Sequence, residues 1–142
     1  MGLYKHILYA TDLHDSSKNV ADKAKALADL HGAKLSMIHT IEPIPAYGYP
    51  GVTEIQSPII DFAKRSLIDL GNQLNVSTEN QIIEFGSVKA QVLATADELN
   101  VDLIIIGSHG RHGISKLLGS SASGVVNSAK CDVIVIRCSD AQ

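Results

Sequence analysis

Two periods alternate along this chain. Short apolar runs at Tyr4–Ala10, Lys34–Ile41, Gln81–Phe85, Asp102–Ile106 and Asp132–Arg137 read as strands, the third being short. Helical spacing fills the stretches between them. Val20, Ala24, Leu27 and Ala28 share one face of a helix expected to start at Ser16 or Ser17 and run to His31, with Gly32 as its stop. Ser57-Pro58 predicts a second start, with proline at the first helical position and Ile59, Phe62, Ala63, Leu67, Leu70 and Leu74 on one apolar face. Ser87 is expected to cap a third helix, turning Val88, Val92, Ala96 and Leu99 to the core. A fourth helix-like segment opens at Gly119-Ser120-Ser121 and runs through Lys130.

Five strands separated by helices predict a doubly wound α/β sandwich around a parallel sheet. Right-handed crossovers gather the carboxyl ends of such strands at one edge, so Asp12, Thr40 and Gly107 should converge there. Ligands of open α/β sheets bind at that edge. Glu42–Ile55, with three prolines and two glycines, reads as a long loop beside it, suited to covering a ligand or meeting a partner.

The richest chemistry follows the fourth strand. An apolar run through Ile106 leads into glycines at 107, 110, 113 and 119, then into a helix start at Ser120 and Ser121. Glycine lets backbone approach a ligand closely, and free N–H groups at a helix start favour an anion. The pattern suggests phosphate binding, although the spacing fits neither G-x-G-x-x-G nor the P-loop, and a flexible surface loop is the plain alternative. Ser120 and Ser121 are capping residues first, a role compatible with holding phosphate. Arg111 and Lys116 either neutralise phosphate or line a solvated loop. Asp12 either accepts a hydrogen bond from a ligand amino group or simply turns the chain after the first strand.

Composition narrows the class. A chain of 142 residues is expected to form one domain, 1–142, and 45% hydrophobic content is enough for a core. A net charge of −3 with no Lys/Arg run argues against nucleic acid, and no apolar run reaches membrane length or resembles a leader. A cytoplasmic protein is expected. Cys131 and Cys138 flank one apolar run and would lie about 23 Å apart along a strand, too far to bridge each other. Free thiols are the expectation. His109 and His112 lack the further ligands a metal site needs, so no metal is expected. His39 reads as a half-buried structural residue, and His6, His14 and His31 as surface positions. Without a G-x-S-x-G elbow or a cysteine at a helix start, no catalytic residue is assigned; slow nucleotide hydrolysis is the most expected.

Over essentially its whole length the chain resembles the universal stress protein family. The resemblance rests on Tyr4-Lys-His-Ile-Leu-Tyr-Ala-Thr-Asp-Leu13, Lys34-Leu-Ser-Met-Ile-His39, Val101-Asp-Leu-Ile-Ile-Ile-Gly-Ser-His-Gly110, Arg111-His-Gly-Ile-Ser-Lys-Leu-Leu-Gly-Ser120 and Cys131-Asp-Val-Ile-Val-Ile-Arg137. It implies a Rossmann-like sheet in the order 3-2-1-4-5 and a homodimer. Nucleotide-binding members of the family carry G-x2-G-x9-G-[ST], with an aspartate after the first strand at the adenine. Asp12, Gly107, Gly110, Gly119 and Ser120 resemble those positions, and Ser121 adjoins them. Only eight residues, Arg111 to Leu118, stand between Gly110 and Gly119, a shortening related to variations among A-type members.

The resemblance implies a stress-response regulator that binds ATP, with or without Mg2+, or a related adenine nucleotide. The alternative is a nucleotide-independent dimer working through contacts with other proteins. In the implied order the strand Asp132–Arg137 lies at an edge, and Val133 to Ile136 are apolar on both faces. Self-pairing across a two-fold axis would cover that edge.

Overall fold

Alternating side chains along the first strand decide how the layers form. In the computed structural model, which describes residues 2–42, 52–108 and 120–139 (for 52–57 the backbone alone), β1 (His6–Ala10) sends Ile7 and Tyr9 to one face and Leu8 to the other. Successive strand residues point to opposite faces, so a strand buried on both sides needs helices above and below it. All three side chains are at most 1% exposed. Burying an aliphatic side chain this fully contributes about 1.5–3 kcal/mol, which makes the central strands the anchor of the fold.

The other strands are β2 (Lys34–Ile41), β3 (Gln81–Phe85), β4 (Leu103–Ser108) and β5 (Asp132–Arg137). All neighbours pair in parallel, in the order β3-β2-β1-β4-β5. One face is covered by α1 (Lys18–His31) and α2 (Val52–Leu74), which pack Val20, Ala24 and Leu67 onto Ile7, Met37 and Ile105. The opposite face is covered by α3 (Val88–Glu98) and α4 (Ser120–Ser128), with Val92, Ala96 and Val125 against Leu8, Ile38 and Ile104. This is the expected Rossmann-like sandwich.

Local signals held in several places. Gly32 ends α1 at φ 63°, the left-handed conformation a glycine accepts without penalty, and the Ala33 amide reaches back to the Ala28 carbonyl at 2.8 Å. Ser87 caps α3, its Oγ accepting the Ala90 amide at 3.1 Å.

Other expectations need correction. β1 starts at His6 rather than Tyr4, and the Asp102 carboxylate takes the Lys5 amide at 2.9 Å just before it. Ser17 precedes α1 but caps nothing, since its hydroxyl is committed elsewhere. α2 starts at Val52, so Pro58 lies inside the helix and 52–55 are not loop; residues 43–51 of the predicted loop lie outside the described residues. Ile59 and Phe62, expected in the core, are 40% and 66% exposed. At about 1.5 Å per residue α2 spans roughly 34 Å, longer than any strand beneath it, so its early turns have little sheet to pack on. β4 starts at Leu103 and runs two residues further than expected, and α4 ends at Ser128 rather than Lys130.

Candidate functional site

The carboxyl ends of the strands open onto a cavity of about 260 Å³, just below the roughly 300–1,000 Å³ usual for a ligand site. Its apolar walls come from Ile38, Val88, Val92 and Ile106; its polar rim includes Thr11, Asp12, His39, Thr40, Glu42 and Ser121. Asp12, Thr40 and Gly107 do converge here, as the topology requires. Of the sequence-predicted residues, Asp12, Gly107 and Ser121 line the cavity. Ser120, the exposed first residue of α4, is not among its lining residues. Gly110 and Gly119 lie outside the described residues, as do Arg111, Lys116, His109 and His112.

Asp12 is held by the turn that follows β1. Its Oδ1 accepts the His14 amide at 2.9 Å, an Asx turn, and the Ser17 hydroxyl at 2.8 Å. Between them Leu13 adopts φ 62°, a conformation that costs a non-glycine residue about 1–3 kcal/mol. The Leu13 amide is satisfied by Thr11 Oγ1 at 3.0 Å. Thr11 is tied on two further sides: its amide donates to the Ile38 carbonyl at 2.9 Å, and its carbonyl lies 2.9 Å from His39 Nδ1. Below it, burial pushes the Tyr9 hydroxyl up to about 12, so Tyr9 stays neutral and hydrogen-bonded to Thr11.

Gly107 is required by packing. A Cβ placed there would come 2.8 Å from Cys138 Sγ and 3.3 Å from Val20 Cγ2. Cys138 is a free thiol, 3% exposed, with its sulfur 3.4 Å from Ser17 Oγ and its amide bonded to the Ser108 carbonyl at 2.8 Å. Asn19 fastens the same stretch, giving its Nδ2 hydrogen to the Arg137 carbonyl and accepting the Ser139 amide. Cys131 is the other free thiol, half-buried, and burial raises its pKa. The charged groups that act on Cys131 are the carboxylates of Asp132, Asp102 and Asp97.

Electrostatically the rim carries two carboxylates, Asp12 and Glu42, and among the described lining residues no lysine or arginine. Among the described residues the start of α4, whose first turn includes Ser121 at the cavity wall, adds positive potential. Among the described residues no group of three or more His, Cys, Asp or Glu side chains is arranged to hold a metal ion. No described helix is long and apolar enough to cross a membrane.

Sequence reasoning placed Asp12, Gly107 and Ser121 at this edge, where they line the cavity, but did not single out Thr11, Ser17 or Cys138 there. The polar run Asp12-Leu-His-Asp-Ser-Ser17 carries an Asx-turn signal at Asp12; nothing in its spacing says which serine turns back. His39 is half-buried and hydrogen-bonded, as expected. His6 and His31 are corrected from surface positions: both are half-buried, His6 against Ser36 and His31 edge-on to Tyr4.

Comparison with known proteins agrees with this geometry. The universal stress protein family model matches residues 3–137. Universal stress protein A homolog 2 of Coxiella burnetii is 39% identical over 142 residues, covering 96% of this chain and 97% of its own. A universal stress protein solved from Lactobacillus plantarum superposes with a TM-score of 0.77 at 26% identity, covering 94% of this chain and 98% of its own. A universal stress protein solved in complex with cAMP shares the fold, with a TM-score of 0.66 at 23% identity and coverage of 94% and 96%.

Proposed function

We propose that this chain, which belongs to the universal stress protein family, binds ATP or a related adenine nucleotide at the carboxyl edge of its sheet and acts as a homodimeric regulator. The observation that carries the reading is the cavity itself: apolar walls suited to a base, a fixed carboxylate at one side and the start of a helix at the other. In this reading Asp12 accepts from the adenine amino group. Gly107, Gly110 and Gly119 let backbone approach ribose and phosphate, and Ser120 and Ser121 hold phosphate at the start of α4. Mg2+ would then accompany the phosphates. No residue is assigned to catalysis.

The dimer is supported by β5, which among the described residues pairs on one side alone, with β4. Pairing Asp132–Arg137 with its own copy would satisfy that edge. A monomer in sedimentation at micromolar concentration would remove this part of the reading.

Calorimetry with magnesium and ATP, and separately with cAMP, tests the nucleotide. Micromolar binding that is lost in Asp12→Ala and in Gly119→Val is the expected result. No heat up to millimolar nucleotide favours the second reading, a nucleotide-independent dimer acting through protein contacts. That reading draws on the eight-residue spacing between Gly110 and Gly119.

A further inference from the structure

We infer that Ser17 is a positioning residue that aims the Asp12 carboxylate and thereby sets selectivity for an amino-bearing base; the inference rests on the nucleotide reading above. Ser17 is 5% exposed and ends the short 3-10 turn before α1, where a serine hydroxyl would ordinarily cap the helix. Here it donates to Asp12 Oδ1 at 2.8 Å instead. A buried hydroxyl diverted from its cap to an exposed carboxylate fixes that carboxylate from inside the protein.

The surroundings leave Ser17 little freedom. Cys138 Sγ stands 3.4 Å from its oxygen, and Cys138 is itself pinned by its amide bond to the Ser108 carbonyl. The same oxygen of Asp12 also accepts the His14 amide, so the side chain is gripped from both ends of one turn. An ionised carboxylate offers acceptors alone. Held at the cavity rim, it favours a ligand that presents an N–H donor and disfavours one that presents none. Removing the Ser17 hydroxyl takes away the donor that aims Asp12 from inside the protein and leaves the His14 amide on the same oxygen, so that preference weakens while the cavity walls remain.

The test compares ATP with purine riboside triphosphate, which lacks the exocyclic amino group, on the parent protein and on Ser17→Ala. A charge-assisted hydrogen bond supports a preference of about tenfold or more for ATP in the parent. In Ser17→Ala the preference should shrink to about threefold or less, through weaker ATP binding with purine riboside triphosphate unchanged. Ser17→Thr, which restores a hydroxyl, should restore the preference, and adding Ser17→Ala to Asp12→Ala should cause no further loss. Circular dichroism melts establish that each variant folds; if Ser17→Ala does not, Ser17→Gly also removes the hydroxyl and carries the same comparison.

Equal loss of both nucleotides in a folded Ser17→Ala, or an undiminished preference for ATP, overturns the assignment of Ser17 while leaving the nucleotide reading intact. A parent protein that binds neither nucleotide overturns that reading and this inference with it.

Discussion

At the amino-terminal edge of the sheet, Asp102 accepts the Lys5 amide at 2.9 Å and the His6 amide at 3.1 Å, and Tyr4 gives its hydroxyl hydrogen to Asp132 at 3.0 Å. At the carboxyl edge, Asp12 is also bonded by an amide and a hydroxyl, yet it faces a cavity. The same residue type ties strand starts together at one end and lines a cavity at the other. At the lower edge the carboxylate consumes backbone donors that the strand starts leave over. At the upper edge the crossovers carry α1 and α3 away on opposite faces, and a crevice stays between them. Position in the topology, more than residue chemistry, separates a structural aspartate from a candidate ligand-binding one.

The largest effect that would sharpen this contrast is expected from Asp102→Ala. Burial works against the Asp102 charge, but amides from Lys5, His6 and Asp102 itself outweigh it and hold its carboxyl below the usual value. Losing hydrogen bonds to a charged group should cost about 3 kcal/mol, read as a lower urea midpoint, with nucleotide affinity of the folded protein unchanged. An affinity change as large as that of Asp12→Ala would break the division between the two edges. Gly107→Ala comes next, at about 2 kcal/mol, because its new methyl group meets Cys138 Sγ and Val20 across gaps too short for a carbon. Combining it with Cys138→Ala should recover part of the loss. A Gly107→Ala protein of undiminished stability would show that this glycine is not dictated by packing.

The fold was legible because its signals are strong and local. Five apolar runs, the Gly32 stop and the Ser87 cap each state their structure within a few residues. The order of the strands, by contrast, came from family resemblance, since no run of residues specifies its neighbour. Pro58 misled because proline suits a helix start, whereas here the helix already runs from Val52 and tolerates one missing N–H. The site was half legible. Asp12 and Gly107 stand at predictable strand ends, while Ser17 and Cys138 matter through a contact across 121 residues of sequence. Gly107 also shows how a glycine that a ligand-binding pattern would ask for can be called for by a sulfur atom packed beneath it.

The smallest expected effect is a slope, and it belongs to the lower edge. His6 Nε2 lies 2.8 Å from Ser36 Oγ, and its ring also hydrogen-bonds the Leu99 backbone; Lys34 and Asp102 are the charged groups nearby. Burial first, and Lys34 second, lower its pKa below 6.5, against weaker pulls the other way from Leu99 and Asp102. Above pH 6.5 the ring is neutral in folded and unfolded chains alike. As pH falls below 6.5 the unfolded chain takes up a proton that the folded one still refuses, so folding loses stability until the folded pKa is reached. Asp102 acts in a separate window: its depressed pKa contributes stability above about 3.8 that is lost as pH falls through the folded value. Melting temperatures recorded from pH 7 to 5 should therefore decline less steeply in His6→Gln than in the parent, while Asp102→Ala, which removes one of the pulls that raise the His6 pKa, should decline at least as steeply as the parent. An unchanged slope in His6→Gln would move the acid sensitivity of this interval away from the amino-terminal edge.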